Sequence, residues 1–268
     1  MQYSSDIKIS QQLIKTNEDW PVWDMPDSNS VFEMVKMVTP YVRFLHPDIV
    51  GAVVEDNNKN RVVWNEKLII RNINPNYYIW DKSSCAFPGI RRYAGKKEMA
   101  FFHNKQSLNI PEALCLDDNT FPRQIWSFVL RGKATQKFGP KQYALAHLAD
   151  HKDYKSKIYE EFDKTGNGDP PDKFYGLFSC VSNTVYMPTN LIKLTDFNLE
   201  TRLLLLNKAQ NLYASVCNIL PPSLLVKQPS SPAWQIDNFN WAELVGAGSS
   251  LKSFFEFRTN TINSLLDI

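Results

Sequence analysis

The run from Leu199 to Leu220 sets the strongest limit on what this chain can fold into. Leu203 to Leu206, Ala209, Leu212, Tyr213 and Val216 recur at helical spacing and cover a broad apolar face. A broad apolar face of that kind has to pack against other elements. Pro221-Pro222 ends the run, because proline lacks a backbone N–H and its ring clashes with the preceding turn. With 268 residues there is chain enough for one large domain or two small ones around such a core. Hydrophobic residues at 43% and aromatics at 13% place it among globular rather than disordered sequences.

Other segments predict a mixture of helix and strand. Ser30-Val-Phe-Glu33 has capping-box spacing and opens an apolar-periodic stretch through Leu45, interrupted at Pro40. Ile49 to Val54 and Arg61 to Ile70 are rich in β-branched residues and flank the polar Glu55-Asp-Asn-Asn-Lys-Asn60, which predicts a β-hairpin. Tyr77 to Trp80 reads as a short strand, Gln124 to Leu130 as an apolar segment, and Gln142 to Leu148 as a strand with a histidine near its end. A Pro/Ser-rich stretch, Pro221 to Pro232, precedes a helix from Leu251 to Leu266, and Trp20-Pro-Val-Trp23 marks an N-terminal arm.

Composition excludes several classes. The net charge of +2 neither demands nor rules out a polyanionic partner. Cys85, Cys115, Cys180 and Cys217 are far apart with no CxxC spacing, which argues against structural zinc and signals no disulfide. Reduced thiols, a polar N-terminus and no apolar run near the ~20 residues of a membrane span predict a soluble, cytoplasmic protein with no membrane partner. No glycine-rich phosphate loop, GxSxG elbow or dinucleotide fingerprint is present.

The chemistry concentrates in two segments. Two of the four histidines stand four residues apart in His147-Leu-Ala-Asp150-His151, and Tyr175-Gly-Leu-Phe-Ser-Cys-Val-Ser-Asn183 follows downstream. Hydrolysis of a phosphodiester needs a base to deprotonate water and a cation to neutralise charge on the phosphorane. Asp150 can supply an anionic oxygen and Asn183 a neutral amide oxygen to a hard cation, while His147 or His151 serves as base.

These segments resemble the HNH, or ββα-metal (His-Me finger), nuclease superfamily. Ala146-His147-Leu148, with Asn183 and the stretch to Asp196, is similar to the Ala-His-Ile … Asn-Gly-Leu-Leu-Leu … His-x-Leu-Phe-Asp pattern of restriction-type HNH domains. Asp150-His151 with Gly176-Leu-Phe to Asn183 is similar to the Asp-His … Gly-Leu-Leu-Cys-x-x-Cys-Asn pattern of endonuclease VII-like enzymes. Ser179 and Ser182 stand where the second pattern has zinc cysteines, and Ile192 where the first has its closing metal-ligand histidine. Asn190 and Asp196 are substitute ligands.

The resemblance implies an α+β fold of antiparallel strands and helices around a ββα-metal finger, without structural zinc. The resemblance covers about fifty residues and none of the first 140; with the nuclease element placed at 141–220, the expected division is 1–140, an N-terminal α+β region whose basic and aromatic residues suit nucleic acid, and 221–268, a helical extension packed on the body. The function it implies is Mg²⁺- or Mn²⁺-dependent hydrolysis of DNA in restriction or phage defence. His147 or His151 would be the base and Asp150 and Asn183 the metal ligands. Arg91, Arg92, Lys152, Lys155 and Lys157 would hold the nucleic-acid backbone, with further basic residues from Arg131 to Lys141 near aromatics. Symmetric duplex cutting would require a homodimer or sequential nicking. The alternative is a non-catalytic nucleic-acid- or protein-binding module on the same scaffold. Asp163-Lys-Thr-Gly-Asn-Gly168 imitates a calcium loop, but Phe174 stands where a bidentate Glu is required.

Overall fold

Residues 27–93, 110, 112–135, 139–149, 173–192, 198–221 and 231–266 are described by the computed structural model. Two units separate between Val35 and Lys36. The first holds most of helix α1 (Ser28–Val38). Its cap is Asp27, whose Oδ1 accepts the Ser30 N–H at 2.7 Å, so the helix opens ahead of the predicted Ser30 capping box.

The second unit begins with a 3₁₀ turn at Thr39–Tyr41 that accommodates Pro40 in its first positions. Helices α2 (Pro47–Lys59) and α3 (Arg61–Ile70) then occupy the segments whose β-branched residues predicted a hairpin. That expectation is corrected by spacing. Ile49, Val50, Val53, Val54 and Asn57 are the buried residues of α2, recurring every three to four positions rather than every second one. The polar run Glu55 to Lys59 is the end of α2, and Asn60 joins it to α3. The predicted strand at Tyr77–Trp80 is also corrected. Pro75–Tyr77 is a 3₁₀ turn capped by Asn74, whose Oδ1 accepts the Asn76 N–H at 3.0 Å.

Two small sheets follow. Strands β1 (Ile90–Arg92) and β2 (Cys115–Asp117) pair in parallel, and helix α4 (Thr120–Arg131) leaves β2 after a short turn. Strands β3 (Tyr143–His147) and β4 (Thr184–Pro188) pair antiparallel, with His147 opposite Thr184 and Leu145 opposite Tyr186. The far edge of β4 is closed by Arg43, which exchanges backbone hydrogen bonds with Tyr186 at 2.9 and 3.1 Å. The fold is thus mixed helix and strand, with one parallel pair beside the expected antiparallel pairing.

Helix α5 (Leu199–Tyr213) starts at Asn198, whose Oδ1 accepts the Thr201 N–H at 2.7 Å. It buries Leu203 to Leu206, Ala209 and Tyr213, and packs on α2 and on the 3₁₀ turn Val181–Asn183. It ends at Tyr213, short of the prolines: the Tyr213 carbonyl accepts both Val216 and Cys217, closing a tight turn. Helix α6 (Lys252–Leu266) buries Phe254, Arg258 and Ile262, four residues apart on one face. Phe254 meets Phe87 and Phe128 edge-on at 5.8 and 5.7 Å. Arg258 lies wholly inside, paired with Asp56, bonded to Asn57 Oδ1 at 3.0 Å, and flanked by Trp64 and Phe255 at 5.3 and 5.2 Å. Among the described residues no helix is long and apolar enough to cross a membrane.

Candidate functional site

The β3–β4 pair positions the first of the proposed functional side chains. Strand β3 reads Tyr-Ala-Leu-Ala-His, and its small alanines let β4 bury Val185 and Met187 completely on the opposite face. Residues directly opposite one another share a face, so His147 emerges beside Thr184, on the side that carries Tyr186. Thr184 Oγ1 accepts the Trp126 indole N–H at 3.1 Å, which ties this face to α4.

His147 is half-buried, and its Nε2 lies 2.8 Å from the Phe178 carbonyl oxygen. A carbonyl can only accept, so Nε2 carries a proton, and in the neutral form of the ring the lone pair is on Nδ1. The ring stacks on Phe178 with centroids 5.4 Å apart and planes 21° apart. One hydrogen bond and one stacked ring therefore fix both tautomer and orientation.

Phe178 is held in turn by a tightly packed 3₁₀ turn, Tyr175–Ser179. Gly176 passes against the Tyr78 backbone so closely that a β-carbon there would collide with the Tyr78 carbonyl. Ser179 and Ser182, at the positions of zinc cysteines in the nuclease pattern, belong to a buried hydroxyl network. The Ser182 hydroxyl meets Ser84 Oγ at 2.8 Å, and Ser179 Oγ accepts the Phe87 N–H at 3.2 Å. Cys85, Cys180 and Cys217 are fully buried among them, and burial pushes the Cys85 thiol up to about 12, so it is inert at neutral pH.

Asn183 corrects the expectation that it ligates metal. Its side chain is 0% exposed. Its Oδ1 accepts the Ala149 N–H at 2.7 Å, and its Nδ2 donates to the Ala149 carbonyl at 2.7 Å and the Leu177 carbonyl at 2.8 Å. Its own carbonyl accepts the Leu148 N–H at 3.0 Å. The amide is a clamp on the chain leaving β3, closed off from the water and phosphate oxygens a hard cation would also need.

Arg91 is likewise corrected. It is 3% exposed, lies 5.1 Å over the Tyr175 ring and donates to the Arg92 carbonyl at 3.0 Å, so it does not face a nucleic-acid backbone in solvent. Arg92 is half-buried, with Asp118 Oδ1 at 3.8 Å. Ile192, at the place of the pattern's closing histidine, packs against the hydrophobic core, and Asn190 is exposed. Asp150, His151, Lys152, Lys155, Lys157, the Asp163–Gly168 loop and Asp196 lie outside the described residues. Among those described, no group of three His, Cys, Asp or Glu side chains could hold a metal ion.

One polar cluster had no signal in the sequence. Glu112, at φ 63°, pairs with Lys173 and accepts the Tyr175 hydroxyl at 2.8 Å, while its backbone carbonyl accepts the Tyr78 hydroxyl at 2.6 Å. Burial works against the Glu112 charge, but Lys173, Tyr175 and Arg91 outweigh it and hold its carboxyl below the usual range. The stability this carboxylate contributes is full above the usual glutamate value of roughly 4.3 and is lost as pH falls through the lower folded value. Glu112→Gln should therefore melt a few degrees below the wild type at neutral pH, with the gap closing on acidification toward pH ~3. A gap that stayed constant over a thermal melting series would show that the charge plays no part.

The residues that sequence reasoning did not find are Phe178, the anchor of His147, and this Glu112 cluster. Both act through backbone carbonyls or a left-handed backbone position, which no residue spacing announces. Comparison of the chain with protein-family models, with curated proteins and with solved structures finds no match.

Proposed function

We propose that the chain is a metal-dependent endonuclease that hydrolyses phosphodiester bonds in DNA, with His147 as the general base. The observation that carries this reading is the 2.8 Å bond from His147 Nε2 to the Phe178 carbonyl. It puts a proton on Nε2, so in the neutral ring the lone pair belongs to Nδ1, and a stacked ring holds the imidazole still; a general base needs such a lone pair in a fixed direction. The chain order supports it: β3, β4 and α5 follow one another, and α5 packs on the turn that carries Asn183. Asn183 fixes the Ala149 backbone, and Asp150 and His151 follow directly in sequence. Asp150 is then the carboxylate for Mg²⁺ or Mn²⁺, and His151 a second imidazole beside it. The cation would neutralise charge as the phosphorane forms. A restriction or phage-defence setting fits a cut in DNA.

The second reading, a binding module that does not cut, is favoured by one pair of facts. The Asn183 amide is closed in the core, and Ile192 packs there where the nuclease pattern has a ligand histidine. Incubating the protein with plasmid and single-stranded DNA in Mg²⁺, Mn²⁺ or EDTA separates the two. Cleavage should need metal, and His147→Ala should slow it about 10²–10⁴-fold while DNA binding persists. Undiminished cutting by His147→Ala with His151→Ala refutes the assignment of the base to either histidine, and no cutting by the wild type in either metal refutes the nuclease reading. Retained binding with no cutting by the wild type in either metal establishes the module instead.

A further inference from the structure

Helix α4 and strand β4 enclose a recess of about 220 Å³ that the catalytic reading does not use. One face of α4 lines it, because Arg123, Trp126, Leu130 and Arg131 fall at helical spacing. Its floor is aromatic: Trp126 and Tyr186 meet edge-on at 4.8 Å and are almost fully buried. Its walls are Leu130, 49% exposed, and the exposed Pro140. Among the described lining residues two carry guanidinium groups and none carries a carboxylate. Gly139 makes the shape attainable, since a β-carbon there would collide with the Tyr186 phenol.

We infer that this recess receives one base of a DNA strand, with Arg123 and Arg131 holding the adjoining phosphates. Three observations converge on that ligand. The volume is smaller than the roughly 300–1,000 Å³ of sites that enclose a drug-sized molecule, so it admits one planar ring and leaves sugar and phosphate outside. Apolar walls over an aromatic floor suit a base of any identity, and guanidinium groups suit the phosphates attached to it. Its position suits the strand too. Tyr186 lies on the face of the β3–β4 pair that carries His147, diagonal to it across Thr184, at a separation of about 7–8 Å between backbones. One nucleotide step of an extended strand is of that order, so a strand with its reacting phosphate at His147 lays a neighbouring base into the recess. The inference rests on the nuclease reading for what happens at His147.

The test measures binding in EDTA, where nothing is cut, using a fluorescein-labelled single-stranded deoxyoligonucleotide and its anisotropy. Arg123→Ala with Arg131→Ala should weaken binding about 10-fold or more and lower the salt slope by roughly 1.4, the share of two phosphates on a single strand. Arg123→Lys with Arg131→Lys should keep that slope, which separates lost contacts from a damaged fold. Lys59→Ala with Lys252→Ala removes equal charge from other exposed positions and should change affinity less than about 2-fold. An otherwise identical abasic strand should bind the wild type more weakly. Wild-type affinity in the double arginine-to-alanine variant, an equal loss in the lysine control, or an abasic strand bound as tightly as the parent would each overturn the inference. The nuclease reading fails separately, on the absence of cutting by the wild type in Mg²⁺ or Mn²⁺.

Discussion

Asn183→Ala should lower the stability of the fold by about 3–5 kcal/mol, roughly 10 °C in melting temperature. The substitution removes little volume. Its cost lies in the Ala149 N–H and the Ala149 carbonyl, left without their partner in a site from which water is excluded, and in the Leu177 carbonyl, left with the Cys180 N–H alone. Asn183→Asp sharpens the test. An aspartate could still accept from Ala149, but its second oxygen would face two carbonyls with no proton to offer. Its folded pKa must then rise above the usual value of roughly 3.9, so the variant is destabilised at neutral pH and recovers as pH falls through the raised value. A metal ligand would behave in the opposite way, with Mg²⁺ stabilising the aspartate variant at neutral pH. Melting curves between pH 4 and 8, with and without Mg²⁺, decide between clamp and ligand.

Arg258→Ala should cost a similar amount, about 3–5 kcal/mol, for a different reason. The arginine side chain is 0% exposed, and its loss leaves Asn57 Oδ1 without its donor, Asp56 without its partner, and a void between Trp64 and Phe255. Asp56 is 21% exposed and can turn to water. Arg258→Met, which refills most of the volume, should therefore recover about half of the loss, and adding Asp56→Asn should recover more. Urea denaturation of the three variants measures this directly. Equal losses in the alanine and methionine variants would mean that packing contributes nothing and the ion pair everything.

What could be read from the sequence depended on where each signal is encoded. The apolar periodicity of α5 and α6 and the strand at β3 were legible because burial repeats along the chain with a fixed period. In α2 and α3 the β-branched content points to strands, while the spacing of the buried residues belongs to helices. In α3 the conflict has a further source: Val62, Val63, Ile69 and Ile70 are exposed, so its apolar residues do not mark one buried face. At the site, His147 was legible as a scarce residue at a strand end. Asn183 was legible as a residue of consequence but not in its role, since ligand and clamp require the same amide. Only the direction of its side chain, into the backbone of Ala149, separates the two. Arg91 failed similarly, because a basic residue among aromatics reads as an open phosphate contact until burial is known.

The bonds between Asn183 and Ala149 join the two ends of everything the chain does between β3 and β4. A detour fastened at its neck hardly burdens the remaining structure, since closure entropy grows only slowly with the length enclosed. The returning stretch from Phe174 to Ser182 is core in its own right, so only the sequence ahead of it can be lengthened at that small entropic cost. Evolution, or an engineer grafting foreign segments there, would be altering a cartridge rather than the housing.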